Sequence, residues 1–296
     1  MKTLILNQSN IVSGSNNAQF RYIFPQGGYI MKNNQVAIQQ ISLYFSIFNI
    51  TSAYNNNYFS YMWVDGTIHQ VQIPNSFLQV SGINEYLQFV MISNGHYLIN
   101  TSTSKNVYLL EMVVNQSRYA VQLNCYYISS ALATANSWSL PPGATWVLPT
   151  NNIVPEFIIP NTNFGNLIGY APGNYPNAVI SGTPPTQTQT PSYSTAQTFL
   201  SSTAPQITPY SSFLLYCTLV NNRAIIPSSL IYSFTPTDVE FGALASFQIN
   251  DLAWNKVVDG TYNEFICEIR DQNGNLVSLQ DPNTLITLIL RDEDEH

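Results

Sequence analysis

Charge is what this sequence has least of. Asp, Glu, Lys and Arg make up 8% of its 296 residues, where a soluble globular domain carries about 25%. Too few ionised groups are present to clothe an ordinary monomer surface, so assembly is expected to cover it. Subunit interfaces are depleted of charge and enriched in Tyr, Phe and Met, and nineteen Tyr and fifteen Phe stand ready. No basic stripe exists among the nine Lys and Arg, which argues against neutralising phosphates and hence against direct nucleic-acid binding. Cysteine is equally sparse: Cys125, Cys217 and Cys267 are odd in number and far apart in sequence, without CxxC or Cys-His spacing. Buried, reduced thiols are expected. No apolar run reaches membrane-spanning length. The opening MKTLILNQ has too short an apolar stretch for a signal peptide. A chain that is not secreted is therefore expected, which silences the glycosylation triplets at Asn7, Asn49, Asn100 and Asn115.

Catalytic signatures are also missing. His69, His96 and His296 fall on separate predicted elements with no HxH or HExxH spacing, so structural or surface roles are expected. There is no GxSxG elbow, phosphate loop or Walker-type lysine. Asp259, Glu264, Glu268 and Asp271 are the carboxylates to weigh for glycoside chemistry, but Glu264 and Glu268 alternate with Phe265, Cys267 and Ile269 and so belong to a wet strand face. Asp271, Asn273 and Asn275 imitate the start of a calcium loop, yet no Gly stands at the sixth position and Pro282 occupies the twelfth. Turn chemistry accounts for them better. No catalytic residue, cofactor or metal ligand is assigned.

What the chain does contain is strand pattern. Leu4 to Leu6, Gln19 to Phe24 and Gln35 to Ile50 read as strands, the last with a slip between residues 38 and 41 that a β-bulge would absorb. Tyr58 to Val64 and Thr67 to Ile73 flank a hairpin signal at Asp65-Gly66. One helix is predicted, Gly82 to Ile92, with Ser81 as its cap. Strands return at Tyr97 to Asn100, Asn106 to Val114 and Arg118 to Tyr127, where Met112 and Tyr126-Tyr127 read as core or interface. Composition then shifts to Pro, Thr, Asn and Ser between Ser139 and Pro209, with TPPTQTQTPSYST at Thr183 to Thr195 the most linker-like stretch.

Beyond it lie Phe213 to Val220, Leu230 to Phe234, Ala243 to Ile249, the run at Glu264 to Asp271 that turns at Asn273-Gly274, and Leu285 to Leu290, apolar on both faces except at Thr287. Eight or nine antiparallel strands split by an insertion predict an all-β antiparallel jelly roll. Charge is uneven as well: residues 238 to 296 hold twelve acids and three bases, and the end RDEDEH reads as a solvated acidic tail.

A succession of blocks carries a resemblance: NEYLQFVM with SNGHYLIN, then YAVQLN, LPT, FGNLIGYAPGNYP, FLSSTAPQITPYSSFLLYCTLVNN, PSSLIYSFTP, FGALASFQINDLAWNKVVDGTYNEF and DQNGNLVSLQDPNTLITLIL. Collinear from about Ile83 to Leu290, they resemble the minor capsid (penton) proteins of virophages and Polinton-type viruses. The resemblance implies a single jelly-roll capsid subunit that forms homopentamers at fivefold vertices of an icosahedral particle, beside capsomers of a separate major capsid protein. It implies a virion component assembled in the host cytoplasm or virus factory, with no catalysis. It also implies an outward-facing second region, here placed at residues 81–204, between jelly-roll parts at 1–80 and 205–296. A carbohydrate-binding or host-attachment module is the alternative, since jelly rolls also serve lectins and exposed aromatics stack on sugars. Trp63, Trp138, Trp146 and Trp254 are its candidate platforms, and a host surface glycan or receptor its partner.

Overall fold

A computed structural model describes residues 1–296 except 178, 182–187, 191–194, 209, 222–227, 237–238 and 294–296. The chain divides into two compact units: Met1–Phe48 with Tyr210–His296, and Asn49–Pro209.

Besides short strands at Tyr29–Met31, Asn255–Lys256 and Gly260–Tyr262, the described residues of the first unit form eight longer strands: β1 (Lys2–Leu6), β2 (Gln19–Ile23), β3 (Asn34–Tyr44), β4 (Phe213–Cys217), β5 (Leu230–Phe234), β6 (Leu244–Gln248), β7 (Glu264–Asp271) and β8 (Leu285–Asp292). They form two sheets, in the orders β1-β8-β3-β6 and β5-β4-β7-β2. The first strand pairs with the eighth, the second with the seventh, the third with the sixth and the fourth with the fifth, all antiparallel. That is a long hairpin rolled into a two-sheet barrel, the jelly roll. β8 is central, between β1 and β3, which explains why its sequence is apolar on both faces. The slip anticipated in β3 is present: Thr287 faces Gln40 and Leu288 faces Ile38, so Gln39 is the extra residue.

Leu4, Leu6, Val36, Ile38, Ile41, Leu43, Ile286, Leu288 and Leu290 line the inner face of one sheet; Phe20, Phe213, Leu215, Phe265 and Ile269 line the other. Phe234 of β5 meets Phe247 of β6 at 5.0 Å and Phe213 meets Phe45 at 6.5 Å, closing the sandwich. Each fully buried side chain of this size contributes roughly 1.5–3 kcal/mol.

The second unit, 49–209, is interposed between β3 and β4. Its start at Asn49 lies upstream of the residue 81 boundary read from sequence because Tyr58–Met62 and Ile68–Gln72 pair with each other and with Glu156–Ile159, within this unit. A second sheet joins Leu110–Asn115, Ala120–Cys125 and Gln197–Leu200, and a third Trp138–Ser139, Leu98–Asn100 and Lys105–Val107. Helix α1 (Val80–Ser93) buries Val80, Ile83, Leu87 and Met91, one stripe at helical spacing. It begins earlier than predicted, so Ser81 lies inside it, and its N-cap Gln79 makes no side-chain capping bond.

Two further helices, α2 (Ser130–Ala135) and α3 (Thr162–Ile168), start at side-chain caps: Ser129 accepts from Leu132 N and Asn161 from Phe164 N. Neither was anticipated. α3 stands inside the stretch that composition marked as linker-like, and it buries Phe164, Leu167 and Ile168. The glycines of FGNLIGY have steric reasons. A Cβ at Gly165 would come within 2.3 Å of Tyr170 O, and one at Gly169, where φ is +81°, within 2.2 Å of Thr203 O. Most of Thr183 to Thr195 lies outside the described residues.

Both hairpin signals fold as three-residue loops with one left-handed Gly, not as two-residue turns. Trp63 N donates to Thr67 O and Gly66 has φ +85°; Asp271 N donates to Asn275 O and Gly274 has φ +83°. Only the Gly of each pair adopts positive φ, as a type I turn followed by a left-handed residue requires.

Candidate functional site

The two outer faces of the jelly-roll unit differ in chemistry. On β1, β8, β3 and β6 the outward residues are Thr3, Ile5, Leu285, Thr287, Gln40, Ser42, Tyr44, Leu244, Ser246 and Gln248. None of these carries a formal charge; at the far end of the same face Arg291 and Lys256 stand in register with Gln35, and Lys256 pairs with Glu293 at 3.2 Å. Ser42 and Ser246 hydroxyls meet at 2.9 Å across the β3–β6 ladder, and Gln40 Nε2 donates to Ser42 Oγ at 3.2 Å. An open depression of about 790 Å³ runs beside them, lined by Asn7, Gln8, Ser9, Ser42, Leu244, Asn283, Thr284 and Leu285. On the opposite sheet Arg21 pairs with Glu264 at 2.9 Å and Arg270 with Glu268 at 2.6 Å. Arg270 also donates to Gly274 O and lies 5.4 Å from the Tyr216 ring.

In the inserted unit a cleft of about 370 Å³ is lined by Val107, Tyr108, Leu109, Tyr126, Tyr127, Leu132 and Trp138. Polar atoms rim it: Tyr126 Oη donates to Glu111 Oε2 at 3.3 Å, and Asn106 Nδ2 to Tyr108 Oη at 3.2 Å. The other three tryptophans are engaged elsewhere. Trp63 and Trp146 are buried and meet edge to face at 5.1 Å, with Trp146 Nε1 donating to Gly95 O. Arg291 caps the Trp254 ring at 3.9 Å and is held there by two bonds to Gln35 Oε1.

His69 and His96, read from sequence as unrelated, are neighbours, their rings 4.4 Å apart. Nothing in their spacing could have shown it, because His69 comes from a strand and His96 follows α1. Asn94 Nδ2 donates to Tyr61 Oη, and Tyr61 Oη and His96 Nδ1 are hydrogen-bonded at 2.9 Å. Thr67 Oγ1 donates to Asp65 and accepts from His69 Nε2. Trp63 stacks on His96 at 4.8 Å.

Burial, reinforced by His69, pushes the His96 pKa down to about 4. Burial likewise lowers His69 and pushes Tyr61 up to about 12. Burial would raise Asp65, but hydrogen bonds from Thr67 and the two histidines outweigh it and hold it below the usual carboxylate range. No group of three metal-ligating side chains gathers among the described residues. His296 lies outside them.

Glu156 is a second buried ionisable group. It is wholly inaccessible, its Oε2 accepts from Asn174 Nδ2 at 3.3 Å, and its Oε1 has no partner among the described residues. Burial raises its pKa to about 7, against that hydrogen bond.

The carboxylates weighed for glycoside chemistry serve local structure. Glu264 and Glu268 hold the arginines above, and Asp259 accepts from Asn33 N. Asp271 accepts from the backbone amides of Asn273 and Asn275, which fixes the turn that looked like a calcium loop. The cysteines are not scattered in space. Cys217 and Cys267 face each other across β4 and β7, a relation visible only once the strands are aligned.

No family model matches the chain, and no curated protein does. Among solved structures it is similar to a crystal structure of the mavirus penton protein, at 12% identity, covering 98% of both chains with a TM-score of 0.41. It is also similar to a chain of the Sputnik virophage structure determined by cryo-EM, at 12% identity, covering 99% of this chain and 98% of that one with a TM-score of 0.36. Among the described residues, no helix is long and apolar enough to cross a membrane.

Proposed function

We propose that this chain is a viral structural protein, the penton subunit that forms homopentamers at the fivefold vertices of an icosahedral capsid, beside capsomers of a major capsid protein. The observation that carries the reading is a jelly-roll body with one outer face that is uncharged over most of its length and exposes Ile5 and Leu244, in a chain only 8% charged. A ring closed by one repeated heterologous contact hides two flanks of every subunit, and flanks hidden by copies of the same chain have no need of ions. The collinear blocks from Ile83 to Leu290 support the same reading. Residues 49–209 then form an insertion on the outer side of the particle. A place in the virion, with assembly in the host cytoplasm or virus factory, belongs to the same proposal.

Native mass spectrometry of the purified full chain tests it: five copies are expected. A monomer at every concentration, with no incorporation when the chain is mixed with a major capsid protein, overturns it.

One observation favours a second role on the same particle. Trp138 stands in an open cleft with three tyrosines and a polar rim, the arrangement that stacks against a sugar ring. Host-glycan attachment through the insertion predicts a glycan-array signal that Trp138→Ala removes, and a silent array dismisses it.

A further inference from the structure

We propose that Cys217 and Cys267 are a disulfide-forming pair that ties β4 to β7 through the middle of their sheet. The argument is one of register. The two residues are direct partners on adjacent antiparallel strands. Thr218 N donates to Ile266 O, while Cys217 N points the other way, to Ser229 O. Cys217 and Cys267 therefore occupy a non-hydrogen-bonded position, where Cα atoms stand about 4.5 Å apart and side chains approach most closely. A disulfide accepts Cα separations of about 4.4–6.8 Å, so the backbone has no distance to travel. Both side chains point into the core and are fully buried. Cys125, buried in the inserted unit with its thiol on Tyr175 O, provides an internal reference.

Oxidation by a small disulfide such as oxidised glutathione balances simply. One cysteine thiolate attacks a glutathione sulfur and releases the first glutathione. The second cysteine attacks the mixed disulfide, forms the Cys217–Cys267 bond and releases the second. The two electrons leaving the protein thiols reduce the oxidant, and the two thiol protons end on glutathione or in water. Burial disfavours the thiolate, which raises the Cys267 pKa, so the pair stays reduced in the intact fold and oxidises when β4 and β7 part transiently. Once formed, the bond closes a loop over residues 218–266, which contain β5 and β6, and restricts the unfolded chain. The jelly roll is thereby stabilised in oxidising surroundings.

The purified full chain, fully reduced, is incubated with oxidised glutathione across a urea series that spans its unfolding midpoint. Thiols are then trapped by alkylation and mapped by peptide mass. A Cys217–Cys267 disulfide, formed faster as urea rises, is expected, with the product lighter by two hydrogen atoms. Its unfolding midpoint lies above that of the reduced chain. Dithiothreitol abolishes the gain, and a Cys267→Ser chain treated alike never shows it. Three results each overturn the proposal: all three thiols free even beyond the midpoint, Cys217 and Cys267 recovered as glutathione adducts or paired with Cys125, or a disulfide product that unfolds earlier than the reduced chain.

Discussion

The two outer faces of the jelly roll are made by the same chain under the same alternation, yet one carries Arg21, Glu264, Glu268 and Arg270 along its strands and the other confines its ions to one end, at Arg291 and the Lys256–Glu293 pair. Strand periodicity decides which residues point outward; it does not decide what they are. An outward face is free to be ionic where water covers it and is better left uncharged where protein does, because desolvating an unpaired ion costs several kcal/mol. Under the proposed assembly, the difference separates a solvated face from one that a neighbouring subunit covers.

The largest effect comes from breaking that asymmetry. Leu244 and Ile23 are both aliphatic, on edge strands, and 55% and 65% exposed, but they stand on opposite sheets. Leu244→Arg places a charge on the part of that face that has none. If that face is a subunit contact, the contact loses about 3 kcal/mol or more, a factor above 100 in its affinity, and the pentamer signal in native mass spectrometry gives way to monomer. Ile23→Lys, on the face already ionic, leaves the oligomer intact. Equal behaviour of the two variants would mean that the faces do not differ in role.

The contrast sharpens in the inserted unit, where Glu156 and His96 are ionisable groups buried away from water. His96 is held neutral, with a pKa near 4. The unfolded chain takes up a proton near 6.5, so this term stabilises above pH 6.5 and is lost as pH falls towards 4. Glu156, raised to about 7, has the opposite sign: its contribution is full below about 4.5 and is lost as pH climbs through 7. Each is worth roughly 2–3 kcal/mol over its range, and between pH 4.5 and 6.5 they offset. His69, also lowered by burial, adds to the His96 side, so urea midpoints of the wild type are expected to fall slightly on acidification across that interval. Glu156→Gln removes one arm, so stability then falls on acidification by about 2 kcal/mol; His96→Asn removes the other, so stability rises instead.

Much of the body was legible in the sequence, because strands buried on one face announce themselves by alternation and β8, buried on both, by an unbroken apolar run. The bulge at Gln39 was readable for the same reason. α2 and α3 were not, since six or seven residues give too few turns for a periodic stripe, and only the caps Ser129 and Asn161 marked them. The linker-like composition around α3 misled because Asn, Pro and Gly there serve caps and close backbone approaches, as Gly165 and Gly169 do. The contact between His69 and His96 and the apposition of Cys217 and Cys267 depend on register, which single-strand patterns leave open. Sequence named the four tryptophans, but only packing separated Trp138 from the three whose rings are already occupied.

The smallest effects test whether the ionic face is ionic for stability. Arg21 and Glu264 are each about half exposed, so Arg21→Ala is expected to cost under about 1 kcal/mol and to cost less still in high salt, where the pair is screened. Arg270 differs because its guanidinium also holds the Gly274 carbonyl at 2.7 Å and so fixes the turn that Asp271 organises. Arg270→Ala is expected to cost about 1–2 kcal/mol, and most of that loss persists in high salt. Chemical denaturation by urea at low and high sodium chloride separates the two. A large, salt-sensitive loss at Arg21 would assign the charges of this sheet to holding the fold; a small one leaves solubility as their function.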